Sequence, residues 1–87
     1  MKIKDGFILS EVAGQTVVVA VGKMAKQFNG CIKLNPSSAL LWKTLQKGAT
    51  EEQLVETFMN EYDVQLEQAK EDVKEFVTNL EKAGFLE

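Results

Sequence analysis

The sequence predicts an α+β domain in which a three-stranded antiparallel sheet is followed by a three-helix bundle, in the order βββααα. Three observations predict this class. Short segments rich in β-branched residues fill the first third of the chain, the hydrophobic period changes at Asn35, and three amphipathic patterns with capping residues follow. Because 87 residues supply one hydrophobic core, we expect a single domain over residues 1–87.

The first three segments are predicted to form an antiparallel meander. Residues 7–12, FILSEV, and 16–21, TVVVAV, are the first two strands, and AGQ between them is a three-residue connection that contains glycine. GKMAKQFNG, from Gly22 to Gly30, is expected to be a loop, with one helical turn over residues 24–28 as the alternative. The third strand is CIKL, residues 31–34.

Capping residues define the first two helices. Asn35 is a good N-cap, Pro36 suits the first helical position, and Gly48 ends the first helix, whose Trp42 we expect in the core between helix and sheet. Thr50 and Gln53 form a capping box at the start of the second helix. The apolar face of the second helix is Leu54, Val55, Phe58, Met59 and Tyr62.

The third helix is the longest, from residue 66 to about residue 82, and Gly84 ends it. Phe76 and Val77 lie on opposite sides of the centre line of its apolar stripe, so one side can pack on the core while the other lines a groove. The sequence leaves open which side does which. The stripe consists of Leu66, Ala69, Val73, Phe76, Val77, Leu80 and Ala83.

Composition argues against an enzyme, a metal site and a bound cofactor. The chain has no histidine, which removes the usual general base, the usual partner of a nucleophile and the commonest zinc ligand. Cys31 is the only cysteine, has no activating neighbour in a recognisable motif, and is expected to be a small apolar filler. The adjacent carboxylates at 51–52 and 71–72 are better explained as dipole partners and solvated helix residues.

Charge is distributed unevenly along the chain. Residues 1–47 carry seven lysines against two acidic residues, whereas residues 48–87 carry three lysines against eleven acidic residues. The third helix is net negative and the chain has no arginine. A winged-helix protein that binds DNA has a similar set of elements and is the alternative function, but phosphate contacts need cationic side chains, so nucleic acid is disfavoured.

No apolar run approaches the roughly 20 residues of a membrane span, and the N-terminus lacks a signal-peptide core. We therefore expect a cytoplasmic protein without a membrane partner.

The third strand is predicted to be an edge strand that binds a peptide. Its unpaired N–H and C=O groups lie beside a long amphipathic helix, which is the arrangement used for β-strand addition, and Asn35-Pro36 keeps the edge short. Two alternatives remain at this point: the N-terminal tail covers the edge, or the edge pairs with a second copy. The oligomeric state is accordingly a monomer or a weak or domain-swapped dimer.

The chain resembles the coenzyme PQQ synthesis protein D (PqqD) family over nearly its whole length. The likeness rests on LN followed by a helix with LLW, on a Gly-x-Thr before the second helix, on EYDV, on DVKEFVTNLEKAGFL, and on the hairpin FILSEVAGQTVVVAVG. KMAKQFNG departs from the segment common in proteins of PQQ synthesis itself, so the chain looks like the broader PqqD-like group.

This resemblance implies a winged-helix-like RiPP recognition element, where RiPPs are ribosomally synthesised peptides that enzymes later modify. Such an element binds the leader segment of a precursor peptide and delivers it to a modifying enzyme, often a radical SAM protein. The leader lies antiparallel to the third strand, between that strand and the third helix. Carried over to this chain, the peptide-binding residues are Cys31, Ile32, Lys33 and Leu34 on the strand and Lys70, Val73, Lys74, Val77 and Leu80 on the helix.

Overall fold

Three strands and three helices follow one another in the predicted order. The structure is a computed structural model that describes residues 1–28 and 31–87, with the backbone alone at Cys31. The strands are β1 (Phe7–Val12), β2 (Gln15–Ala20) and β3 (Cys31–Leu34), and the helices are α1 (Pro36–Lys47), α2 (Glu51–Glu61) and α3 (Leu66–Ala83). The sheet is antiparallel throughout, in the order β1-β2-β3, which confirms the predicted α+β class.

The β1–β2 connection is shorter than predicted. Ala13 and Gly14 alone form the turn, both with positive φ (52° and 79°), and Val12 pairs with Gln15. Two left-handed residues give a turn whose twist matches that of the flanking strands, so the three-residue AGQ loop was the wrong choice. As a result β2 runs from Gln15 to Ala20, one residue earlier at each end than predicted.

The segment after β2 begins with a short 3-10 helix, Gly22–Lys26, within the predicted loop. The amides of Gln27 and Phe28 both donate to the carbonyl of Met24 at 3.0 Å, so a helical turn does form here, as the alternative prediction had it. The predicted end of the loop at Gly30 lies outside the described residues.

The predicted caps are present. The Asn35 side chain accepts a hydrogen bond from the Ser38 amide at 2.8 Å, with Pro36 at the first helical position of α1. Thr50 and Gln53 bond reciprocally at 2.9 and 3.1 Å, which completes the capping box of α2.

The core lies between the sheet and the helices. Trp42, Leu45, Leu54 and Val73 are its largest fully buried side chains, and Trp42 lies in the core as predicted. The Trp42 ring meets Phe85 edge-on with 5.4 Å between centroids. Within the part of the chain that the structure describes, Trp42 Nε1 has no hydrogen-bond partner, so this ring contributes through packing alone.

The N-terminal segment lies along the C-terminal segment and not along β3. The Lys4 amide donates to the Phe85 carbonyl at 2.8 Å, and Ile3 forms an isolated bridge with Leu86. The Glu87 amide also donates to the Lys2 carbonyl at 3.0 Å, so these contacts hold the N-terminal segment beside the C-terminal one. The alternative in which this tail covers the edge of β3 is wrong.

Candidate peptide-binding site

β3 is an edge strand, as predicted. It pairs with β2 on one side, in the register Thr16–Leu34 to Val19–Cys31, and its other side is the end of the sheet. An edge of this kind presents backbone donors and acceptors to a further strand.

The register also shows which backbone groups point outward. The Val21 amide donates to the Gly6 carbonyl at 2.8 Å, directly beside the Phe7–Ala20 pair. Hydrogen-bonded and non-hydrogen-bonded pairs alternate along an antiparallel ladder, so Phe7 and Ala20 form a non-hydrogen-bonded pair. The same alternation makes Ser10 and Val17 a hydrogen-bonded pair, so Val17 exchanges its backbone hydrogen bonds with β1.

The two β2 residues that flank Val17 therefore turn their N–H and C=O groups toward β3, where their partners are Ile32 and Leu34. The N–H and C=O groups of Cys31 and Lys33 consequently point away from β2, toward the free edge. Of the four predicted strand residues, these two have backbone groups that are free to bond to an added strand.

The side chains of β3 divide between the two faces of the sheet. Ile32 and Leu34 share the face of Val18, whose side chain belongs to the core. Leu34 packs against that core, whereas Ile32 is 43% exposed. Lys33 lies on the opposite face and is exposed. On this face of β3, the apolar side chains available to an added strand are therefore Ile32 and Leu34.

A cavity of about 210 Å³, lined mostly by apolar side chains, adjoins Ile32. Phe28 and Phe85 form part of its wall, stacked with 5.1 Å between ring centroids, and Phe7 meets both rings edge-on. The remaining lining residues are Val18, Ala20 and Gln27. This cavity can receive an apolar side chain of a strand added beside β3.

A second cavity, of about 330 Å³, lies where β3 ends and α1 begins. It is bounded on one side by Asn35 and Ser38 and on the other by Phe76 and Asn79 of α3. Asp72 and Glu75 also line it, so this end is polar and acidic. The two cavities share no lining residue, and we refer to them together as the β3–α3 cleft.

The structure places the predicted α3 residues in two other environments. Val73, Val77 and Leu80 are buried in the core and fix the position of α3. Lys70 and Lys74 are exposed and line a groove of about 570 Å³ between α2 and α3. We call this the α2–α3 groove. The α3 flank that lines the β3–α3 cleft carries Asp72, Phe76 and Asn79.

Sequence reasoning missed Phe28 and Phe85 as cleft residues. Phe28 follows the 3-10 helix and Phe85 follows α3, so 57 positions separate two rings that stack in the fold. The one available signal was an aromatic residue close to a glycine, Phe28 before Gly30 and Phe85 after Gly84.

The other sheet edge is partly occupied by a side chain. Gln46 Nε2 of α1 donates a long hydrogen bond, 3.5 Å, to the Phe7 carbonyl of β1. Because Phe7 belongs to a non-hydrogen-bonded pair, this carbonyl is one of the outward groups of that edge. The β3 edge is accordingly the better site for strand addition.

The described ranges 1–28 and 31–87 contain neither a metal-binding cluster nor a membrane-spanning helix. No group of three or more His, Cys, Asp or Glu side chains forms there that could hold a metal ion. Neither does any helix in this part of the chain have the length and apolar character needed to cross a membrane.

Comparison with known proteins identifies relatives of the whole fold. The family model for coenzyme PQQ synthesis protein D (PqqD) matches residues 15–86. The structure of TbiB1 in complex with the TbiA(beta) leader peptide is similar with a TM-score of 0.79 and 23% identity, over 100% of this chain and 95% of that one. Lasso peptide synthetase B1 complexed with the leader peptide gives 0.74 and 20%, over 97% and 93%. No curated protein sequence matches significantly. At these identities the likeness to the two structures lies in the fold.

Proposed function

Because the chain belongs to the coenzyme PQQ synthesis protein D (PqqD) family, we propose that it is a non-catalytic adaptor, a RiPP recognition element. It binds the leader segment of a ribosomally made precursor peptide by strand addition to β3. It then delivers the precursor to a modifying enzyme, which we propose is a radical SAM maturase. The observation that carries the proposal is the free edge of β3 beside a cavity lined mostly by apolar side chains.

The fold comparison supports the same ligand class. Both similar structures, TbiB1 and lasso peptide synthetase B1, contain a leader peptide. Their chains are covered almost completely by this one, so no large additional region separates the folds. We carry over the class of ligand, a leader peptide, and derive its contacts from the residues of this chain.

The proposed contacts follow from the cleft geometry. Lys33 and Cys31 supply the outward backbone groups, and Ile32 and Leu34 contact peptide side chains on the helix-facing side. On α3, Phe76 and Asn79 take the place of the predicted Lys70 and Lys74, which line the α2–α3 groove. Val73, Val77 and Leu80 act indirectly, because they pack α3 against the core.

Backbone hydrogen bonds and apolar burial together can account for micromolar affinity between the leader and this chain. Two outward-facing residues offer up to four backbone hydrogen bonds, each contributing about 0.5–1.5 kcal/mol net. Burial of apolar surface in the cavity beside Ile32 adds about 25 cal/mol per Å². An interface of roughly 1,000 Å² with a Kd near 1 μM, about −8 kcal/mol, is consistent with both contributions.

DNA binding is the less favourable function for this fold. A helix that enters the major groove needs cationic side chains, whereas Asp72 and Glu75 of α3 line the cavity at the start of α1. We therefore propose a peptide partner in the cytoplasm and no nucleic-acid or membrane partner.

The test is an amide NMR titration with the leader segment of any short open reading frame next to the gene of this protein, and with random duplex DNA as the competing ligand. We expect leader-induced shifts at residues 31–35 and at 76–79, and none with DNA. Shifts produced by DNA, or a spectrum that no leader changes, would contradict the proposal.

A further inference from the structure

The α2–α3 groove is apolar at its floor and exposed to solvent. Met59 of α2 is 37% exposed and Leu66 of α3 is 48% exposed, and Val55 lies between the helices below them. Among the described helices, these are the only large apolar side chains with such exposure. Both of them line the same groove. An apolar floor of this kind is typical of an interaction surface.

The two walls of the groove carry opposite charges. Glu52 and Glu56 stand on the α2 wall, with Glu51 at its beginning, whereas Lys70 and Lys74 stand on the α3 wall. A ligand that fills the groove therefore meets carboxylates along one side and ammonium groups along the other. Such a pair of walls selects a ligand with the complementary arrangement.

The backbone of the groove restricts the kind of ligand. Both walls are α-helices, whose backbone hydrogen-bonding groups are satisfied internally, so strand addition is impossible here. Recognition must go through side chains, and a concave groove between two helices suits an amphipathic third helix. Met59 favours binding of such a helix, because its flexible thioether side chain adapts to different apolar partners.

We propose that the α2–α3 groove binds an amphipathic helix of the modifying enzyme. That helix has an apolar stripe on Met59, Leu66 and Val55, a basic flank beside the α2 wall and an acidic flank beside the α3 wall. This inference rests on the proposed adaptor function and adds to it the surface that engages the enzyme.

The position of the groove fits this role. Leu66, Lys70 and Lys74 lie on one flank of α3, and the cleft residues Phe76 and Asn79 lie on the other. The leader and the enzyme helix can therefore be bound at the same time, as an adaptor requires. The charges also fix the direction of the bound helix, since reversing it would place each flank beside a wall of like charge.

The experiment uses two synthetic helical peptides of about 18 residues with identical leucine stripes. The mixed peptide has glutamates on one flank and lysines on the other, whereas the basic peptide has lysines on both. Each is titrated into the labelled full chain, and into a variant with Lys70→Glu and Lys74→Glu, which makes both walls acidic. The control variant, Lys23→Glu with Lys26→Glu, changes the net charge equally at two exposed positions outside the groove.

We expect the mixed peptide to shift amides around Met59 and Leu66 and to bind the unmodified chain about fivefold more tightly than the basic peptide. The Lys70 and Lys74 variant reverses this preference, and the control variant keeps it. Higher salt reduces the preference because the walls are exposed. Prior saturation with leader leaves the affinity for the mixed peptide unchanged.

Four outcomes would overturn the inference. The first is equal affinity of the mixed and basic peptides for the unmodified chain, and the second is an equal effect of the two variants on the preference between the peptides. The third is competition between the leader and the mixed peptide. The fourth is a set of chemical shifts in the groove that change with protein concentration when no peptide is present. The last outcome would assign the groove to a second copy of the chain. Leader-induced shifts at residues 31–35 in the same samples report on the adaptor function separately, so either idea can fail without the other.

Discussion

Val18 and Ile32 are direct cross-strand partners on the same face of the sheet, yet Val18 is 2% exposed and Ile32 is 43% exposed. The difference arises because β2 has a strand on each side, whereas β3 has a strand on one side only. A fourth strand beside β3 would cover Ile32 as β1 and β3 cover Val18. The proposed function follows from this unequal burial.

Replacing Lys33 with proline is expected to weaken leader binding at least tenfold and to leave the fold intact. Proline removes the N–H that points to the free edge, and such positions tolerate proline in edge strands. The matched control is Lys33→Ala, which loses the same side chain and keeps the N–H. Calorimetric titration with the leader measures both. Equal affinities for the two variants would count against strand addition.

Replacing Ile32 with glutamate is expected to weaken leader binding more than tenfold, because the carboxylate would lie against the apolar side chains of the cavity and lose water when the peptide binds. The control is Ile8→Glu on the opposite face of the sheet, where the isoleucine is 49% exposed. This control is expected to change the affinity less than twofold. If both variants lose affinity alike, the helix-facing side of the sheet is not the peptide site.

Filling the cleft from α3 is expected to block the peptide. Asn79→Trp places a large ring in the β3–α3 cleft and should lower leader affinity about fivefold or more through steric exclusion. Lys74→Trp places the same ring in the α2–α3 groove and should leave leader affinity unchanged. Fluorescence anisotropy with a labelled leader compares the two. The opposite result would restore the predicted Lys70 and Lys74 flank as the peptide contact.

Gly6→Ala is expected to destabilise the fold by about 2 kcal/mol, more than Gly14→Ala. Both glycines have positive φ, 103° and 79°, so each substitution costs about 1 kcal/mol of backbone strain. A Cβ at Gly6 would also come within 2.6 Å of Met24 Cγ, whereas at Gly14 it meets open space. Thermal unfolding measures the difference, and a smaller loss at Gly6 would contradict this packing.

The element order and most boundaries could be predicted because local signals were strong. Asn35-Pro36, the Thr50–Gln53 capping box and Gly84 fixed the helix ends, and the predicted bounds of β3 agree with those in the structure. The turn after β1 was misjudged because two-residue and three-residue connections share the same glycine signal.

The site could be predicted only in part. The sequence identified β3 as an edge but not the phase of its hydrogen bonds, since that phase depends on the pairing of β2 with β1. Which flank of α3 lines the β3–α3 cleft depends on where α2 packs against α3. The hydrophobic periodicity of α3 contains no information about that packing. The approach of Phe28 to Phe85 likewise depends on the complete fold.

Amide hydrogen exchange at Lys33, in the free protein and in the leader complex, tests the central claim most directly. The Lys33 N–H points to the free edge, whereas the amides of Ile32 and Leu34 face β2. We expect the Lys33 amide to exchange rapidly in the free protein and to become protected by a factor of ten or more when the leader binds, with Ile32 and Leu34 protected in both states. A bound leader that leaves Lys33 exchange unchanged would contradict strand addition to β3.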